Sequence, residues 1–184
     1  MDDKNLIWNE HSRKELIETP VFKVMETESI SPDNQKGNYI VIEAKDWCAV
    51  IPELDEDFLM VKQWRHGSNC LSIEFPGGVI DEGEEPAEAA RRELLEETGY
   101  KTDELIYLGS VSPNPALFSN HMHFFLAKKL TSTGKQNLDK DEYVNYLRIP
   151  KKEVMEKMGS KEYPHALMAV ALNFYYQHKA KCNG

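Results

Sequence analysis

The chain has 184 residues, long enough for one well-cored domain with a small extension and too short for two full-sized domains. With 41% apolar and 29% charged residues it reads as a folded protein, and no apolar run nears the roughly 18 residues of a membrane span. A net charge of -9 argues against nucleic acid as a partner. The surplus is uneven, because residues 81 to 97 hold eight acids against Arg91 and Arg92. A divalent cation at that place would let an acidic protein accept an anionic substrate. Cys48, Cys70 and Cys182 are odd in number and lack metal-ligand spacing. With no hydrophobic signal at the N-terminus, they predict a cytoplasmic setting, with Cys48 and Cys70 as small core residues.

In chain order, the first 18 residues read as a polar arm. A strand pattern begins at residues 19 to 25, and residues 31 to 37 form a turn cluster. Short runs rich in Val, Ile and aromatics at 38 to 44, 48 to 52 and 58 to 64 predict consecutive strands, and a fourth at 71 to 75 leads into Pro76-Gly77-Gly78. Then comes a helix: Pro86 suits its first turn, Ala87, Ala90 and Leu94 make its apolar stripe, and Gly99 suits a left-handed stop. Strands are expected at 105 to 111, 123 to 127 and 143 to 149, and helices at 150 to 158 and 163 to 178. In the last helix Leu167, Val170, Ala171 and Phe174 share one face. Strands, helix, strands and two helices make a layered α/β sandwich.

Glu93, Glu96 and Glu97 fall at i, i+3 and i+4, one arc of the first helix about 100° wide. Like charges at these spacings repel by a few tenths of a kcal/mol per pair, which suits either a solvated acidic face or a bound cation. The frame decides between them. Gly78, Glu84, Arg92, Glu93, Leu94, Glu96, Glu97 and Gly99 match the Nudix box, Gly-x5-Glu-x7-Arg-Glu-U-x-Glu-Glu-x-Gly-U with U aliphatic, and only Tyr100 departs from it. The chain thus resembles the Nudix hydrolases over about residues 38 to 175, most specifically in the box.

That resemblance implies an α/β/α sandwich around a mixed sheet, with residues 1 to 45 as an arm and β extension that pairs two subunits and residues 46 to 184 as the hydrolase domain. It implies Mg²⁺, with Mn²⁺ as a substitute, held by Glu93 and Glu97, by Glu96 as a ligand or a carboxylate behind the ligands, and by the Gly77 carbonyl. Arg92 would orient the glutamates. A further carboxylate would complete the metal site or act as base; Asp139, Asp141 and Glu142 are the candidates, with Glu142 preferred for its alignment with the strand that follows.

Pro115, 15 residues after Tyr100, resembles the ADP-ribose pyrophosphatase branch, as do the stretches 61 to 65 and 138 to 144. Arg65 would fork a diphosphate, and Glu74 would bind substrate or hold the loop. Asn114, Asn120 and His121 suit either a sugar pocket or turns. Trp47 and Phe22 are candidates to stack on adenine, while His165 reads as a structural histidine. The implied reaction is hydrolysis of ADP-ribose or a related nucleoside diphosphate sugar to a nucleoside monophosphate and a sugar phosphate. A nucleoside triphosphate clean-up hydrolase and a non-catalytic nucleotide-sugar sensor are the alternatives.

Overall fold

The structure is a computed structural model that describes residues 3–140 and 142–182. Contacts divide the chain into two compact units, the first made of residues 1–45 and 112–121 and the second of residues 46–111 and 122–184.

In the first unit a short 3₁₀ turn (Asp3–Leu6) precedes β1 (Asn9–Glu18), β2 (Phe22–Ile30) and β3 (Lys36–Ala44), an antiparallel sheet in the order β1-β2-β3. β1 lies in what the sequence presents as a polar arm. All ten of its residues are exposed, so it carries no buried alternate face to produce a period-2 apolar signal. The ladder to β2 and cross-strand charge hold it instead: Lys23 Nζ lies 3.0 Å from Glu15 and Glu18, and Arg13 pairs with Glu10 and Glu43. The 112–121 segment joins this sheet through Ile42 N–H, which donates to Leu117 O, and Ser119 N–H, which donates to Ile42 O.

The second unit contains β4 (Trp47–Leu54), β5 (Asp57–Arg65), β6 (Cys70–Glu74), α1 (Pro86–Thr98), β7 (Tyr100–Val111), β8 (Met122–Ser132), β9 (Asn145–Pro150), α2 (Lys151–Lys157) and α3 (Ala166–Cys182). Its sheet runs β6-β5-β4-β8-β7, and β9 pairs with β5. β4 and β8 are parallel and the other pairs antiparallel, which makes the sheet mixed. Because side chains alternate along a strand, Ala49 and Ile51 face one core while Cys48 and Val50 face another. The first core is covered by Val154 of α2 and by Met168, Ala171, Leu172 and Tyr175 of α3. The second is covered by Ala89, Ala90 and Leu94 of α1. Helices on both faces of a mixed sheet are the expected α/β/α sandwich.

Pro86 opens α1, and Gly99 ends it at φ 71° with its N–H on Leu95 O. In α3 the buried stripe is Met168, Ala171, Leu172 and Tyr175, while Leu167, Val170 and Phe174 pack at its border. The stripe therefore sits one position round from the expected one. Tyr175 can lie inside because its hydroxyl reaches Glu53 Oε1.

β4 and β5 pair only at their hairpin end, Glu53 with Phe58 and Leu54 with Asp57, and then diverge. Pro76 to Gly78 fills the gap beside β4: Val50 N–H donates to Pro76 O at 2.8 Å and Cys48 N–H to Gly78 O at 2.9 Å. A Cβ on Gly77 would stand 2.1 Å from the Cys48 carbonyl oxygen, which is backbone and cannot yield.

At the far end of β4, Glu53 accepts hydrogen bonds from Lys151, Lys179 and Tyr175. Burial opposes its ionisation, but those donors outweigh burial and hold its pKa at about 2. Because this lies below an unfolded glutamate's value of about 4.3, the stabilisation is complete above that pH and is lost as the pH falls toward 2. Glu53→Gln should cost about 2 kcal/mol at pH 7. In thermal melts from pH 7 to 2.5 the variant should lose less stability with acid than the wild type.

Candidate active site

The box residues converge where the Gly77-Gly78 turn meets α1. Glu97 is 3% exposed, and its Oε2 accepts the Gly77 N–H at 2.8 Å. Burial pushes its pKa up to about 8, helped by the charges of Glu93 and Glu142 and opposed by the Gly77 N–H and by Arg65. Glu93, one turn earlier and 8% exposed, is raised by burial as well, with Arg92 opposing. A Cβ on Gly78 would stand 2.4 Å from Glu93 Oε1, so a side chain there would push that carboxylate aside.

Arg92 organises the opposite side. Its Nε and Nη2 fork Glu84 at 2.9 Å each, its Nη1 reaches Glu93 at 2.8 Å and Glu96 at 3.1 Å, and its Nη2 also donates to Val79 O. One guanidinium thus ties Glu84, Glu93 and Glu96 together, offsetting only part of their charge, and leaves Glu97 facing the turn.

Glu142 comes to the site on the segment between β8 and β9. Gln136 anchors that segment, donating from Nε2 to the carbonyls of both Glu97 and Val144, and Asn137 N–H donates to Glu96 O. The charge of Glu142 acts on both Glu93 and Glu97. Asp139 N–H donates to Glu142 Oε2, closing a small turn. Asp141, the third carboxylate considered, lies outside the described residues.

Arg65 and Glu74 form a two-bond fork, Nε to Oε1 at 2.9 Å and Nη2 to Oε2 at 2.6 Å, with Glu74 almost wholly buried. Glu74 is thereby a holder of Arg65, and the Nη1 edge of the guanidinium is the part not engaged by it. A cavity of about 270 Å³ is lined by Arg65, Glu74, Gly77, Gly78, Trp47 and His165, among others. Met122 and Met168 complete its apolar wall, and nothing in the local sequence pattern marks them for that place.

Asn114, Pro115 and Asn120 belong to the first unit, as does Phe22, whose β2 position pairs with Ala44. Asn114 Oδ1 accepts the Ala116 N–H, and Asn114 O accepts those of Leu117 and Phe118, as a turn-forming asparagine does. Asn120 Nδ2 donates to Lys45 O.

The family model described as NUDIX domain matches residues 45–169, most of the second unit. The chain belongs to the NUDIX family. It is 30% identical over 145 residues to an ADP-ribose pyrophosphatase of Bacillus subtilis (strain 168), covering 78% of each chain. It is 29% identical over 147 residues to a methanol dehydrogenase activator of Bacillus methanolicus, again covering 78% of each chain. The ADP compounds hydrolase NudE of Escherichia coli (strain K12) is 28% identical over 123 residues, 67% of this chain and 66% of that one. A crystal structure of an ADP compounds hydrolase superposes with a TM-score of 0.83 at 22% identity, covering 96% of both chains, a likeness of fold.

Nudix hydrolases generally use a divalent metal, and the donor set here fits one. Glu93 and Glu97 are buried carboxylates whose pKa values burial and neighbouring carboxylates raise, and a hard cation would reverse both effects. Among the described residues no three His, Cys, Asp or Glu side chains already converge as a ligand set; Glu93 is turned onto Arg92 and Glu97 onto Gly77.

Gly77→Ala should destabilise this Nudix domain by about 3 kcal/mol in urea unfolding, because the added methyl meets backbone. Gln136→Ala should do something different. It frees the segment carrying Glu142, so titration with Mn²⁺ in the absence of substrate should show affinity weakened about fivefold, with thermal stability lowered only slightly.

Proposed function

We propose that this Nudix hydrolase splits the diphosphate of ADP-ribose or a related nucleoside diphosphate sugar into a nucleoside monophosphate and a sugar phosphate, with Mg²⁺ as its ion and Mn²⁺ able to replace it. The observation that carries this reading is the pair of buried carboxylates, Glu93 and Glu97, set against a Gly-Gly turn that opens into a cavity holding Arg65. The names of the relatives support the substrate class, among them a mouse ADP-sugar pyrophosphatase 29% identical over 154 residues.

Glu93 and Glu97 would hold the ion together with the Gly77 carbonyl, Glu96 would be a further ligand or support them, and Glu142 would complete the site or serve as base. Bound there, the ion would supply neutralisation of phosphate charge and a more acidic water. Glu142 takes the proton of the attacking water as its oxygen bonds phosphorus; the bridging P–O bond breaks, and the leaving phosphate carries the electron pair away. Arg65, held by Glu74, presents its free edge to the phosphates. Arg92 keeps Glu93 and Glu96 oriented. Trp47 lines the cavity as a flat surface for a ring. Asn114 and Pro115 shape the 112–121 segment, and their part in substrate binding rests on family resemblance alone.

The first unit pairs two copies in this reading. β1 is an edge strand with an exposed face that includes Leu16 and Ile17, and Trp8 packs edge-on against the exposed Tyr39. Light scattering on the eluting protein tests for the dimer. Three free cysteines suit a reducing cytoplasm.

A panel of nucleoside diphosphate compounds with Mg²⁺ in ¹⁸O-labelled water, with products weighed by mass spectrometry, identifies both the substrate and the attacked phosphorus. Glu97→Gln should lower turnover at least roughly 1000-fold. Its melting temperature should not fall, because a neutral amide replaces a carboxylate that burial disfavours. Wild-type hydrolysis by that variant would remove Glu97 from the metal site.

A further inference from the structure

His165, just ahead of α3, does more than its place in the sequence suggests. Its Nδ1 accepts the Leu167 N–H at 3.2 Å. A ring nitrogen that accepts carries no proton, so the neutral imidazole keeps its hydrogen on Nε2. Burial pushes the histidine's pKa down and Arg65 adds to that, while Glu74 works against it; the neutral ring prevails at neutral pH. With Nδ1 turned back onto the helix, the Nε2 edge remains for the cavity that His165 lines with Arg65, Glu74 and Gly77. Among the described residues Nε2 makes no hydrogen bond, and the Glu74 carboxylate is already taken by Arg65.

The Gly77-Gly78 turn and Arg65 line the same cavity as His165, so a diphosphate held by them brings its attached group within the cavity. In a nucleoside diphosphate the first group beyond phosphate is a ribose, and in ADP-ribose that holds on both sides. We propose that His165 is a substrate-binding residue whose Nε2–H donates to a ribose oxygen, with its tautomer set by the backbone of α3. This rests on the function proposed above.

Two substitutions separate the ring's two edges. His165→Asn can keep the acceptor for Leu167 N–H but has no outward donor, and His165→Gln can place an amide N–H near Nε2 but gives up the helix contact. Expected is a KM for ADP-ribose about tenfold higher in His165→Asn, with kcat and melting temperature close to wild type, and a near-normal KM in His165→Gln with a lower melting temperature. A loss equal on ADP-ribose and ADP-glucose places the contact on the adenosine ribose, and a loss on ADP-ribose alone places it on the terminal one; either supports the proposal. Wild-type KM in His165→Asn with a raised KM in His165→Gln would overturn it and leave a purely structural histidine. Should His165→Asn be unstable, His165→Gln against His165→Leu gives the same test, since both lack the helix contact and only one donates. If the wild type itself cleaves no diphosphate compound, the function reading fails and this proposal with it; cleavage with an unaltered His165→Asn sinks the histidine alone.

Discussion

Two backbone hydrogen bonds, from Val50 N–H to Pro76 O and from Cys48 N–H to Gly78 O, seat a turn where a neighbouring strand would otherwise lie. They exist because β5 leaves β4 after a two-pair hairpin end. Glycine is required at 77 because β4 backbone comes too close for a side chain, while at 78 a side chain would displace the Glu93 carboxylate. Once the turn is fixed, its free Gly77 N–H faces α1, and Glu97 can be buried against it. The site is thus a defect in a sheet, filled by a loop and read by a helix.

Electrostatics divides that site into two halves. Arg92 hydrogen-bonds Glu84, Glu93 and Glu96 at once, so one cation holds three carboxylates in place while offsetting only part of their charge. Glu97 is not among them. A single peptide N–H is weak compensation for a buried carboxylate, which is why this residue shows the strongest upward shift among the acids described here. The Arg65–Glu74 pair on the cavity side follows the opposite design, with charge matched to charge, so the positive edge left over is held in a defined direction.

The fold and the box were legible because their determinants are local. Pro86, the Ala90 and Leu94 stripe and Gly99 state one helix, and the glutamate spacing places its charges on one arc. The parallel neighbours β4 and β8 read as short apolar runs since both cores close over them. β1 stayed hidden for the inverse reason: a strand held by ion pairs buries nothing. Gln136, Met122 and Met168 were likewise invisible, and His165 read only as a structural histidine. Each matters through partners distant in sequence, a carbonyl of α1 for Gln136 and a shared cavity for the others, and no periodicity encodes such a meeting.

Cys48 lines the same cavity as the residues assigned to substrate, yet burial pushes its thiol up to about 12. At neutral pH almost none of it is thiolate, the form that attacks electrophiles and peroxides. The sulfur that sits beside the Gly-Gly turn is therefore chemically quiet. The more accessible Cys70 and Cys182 stand where an oxidant would meet thiols first, away from the cavity that Cys48 lines. With its side chain wholly buried in the core under α1, Cys48 leaves the pocket's chemistry independent of the redox state around it.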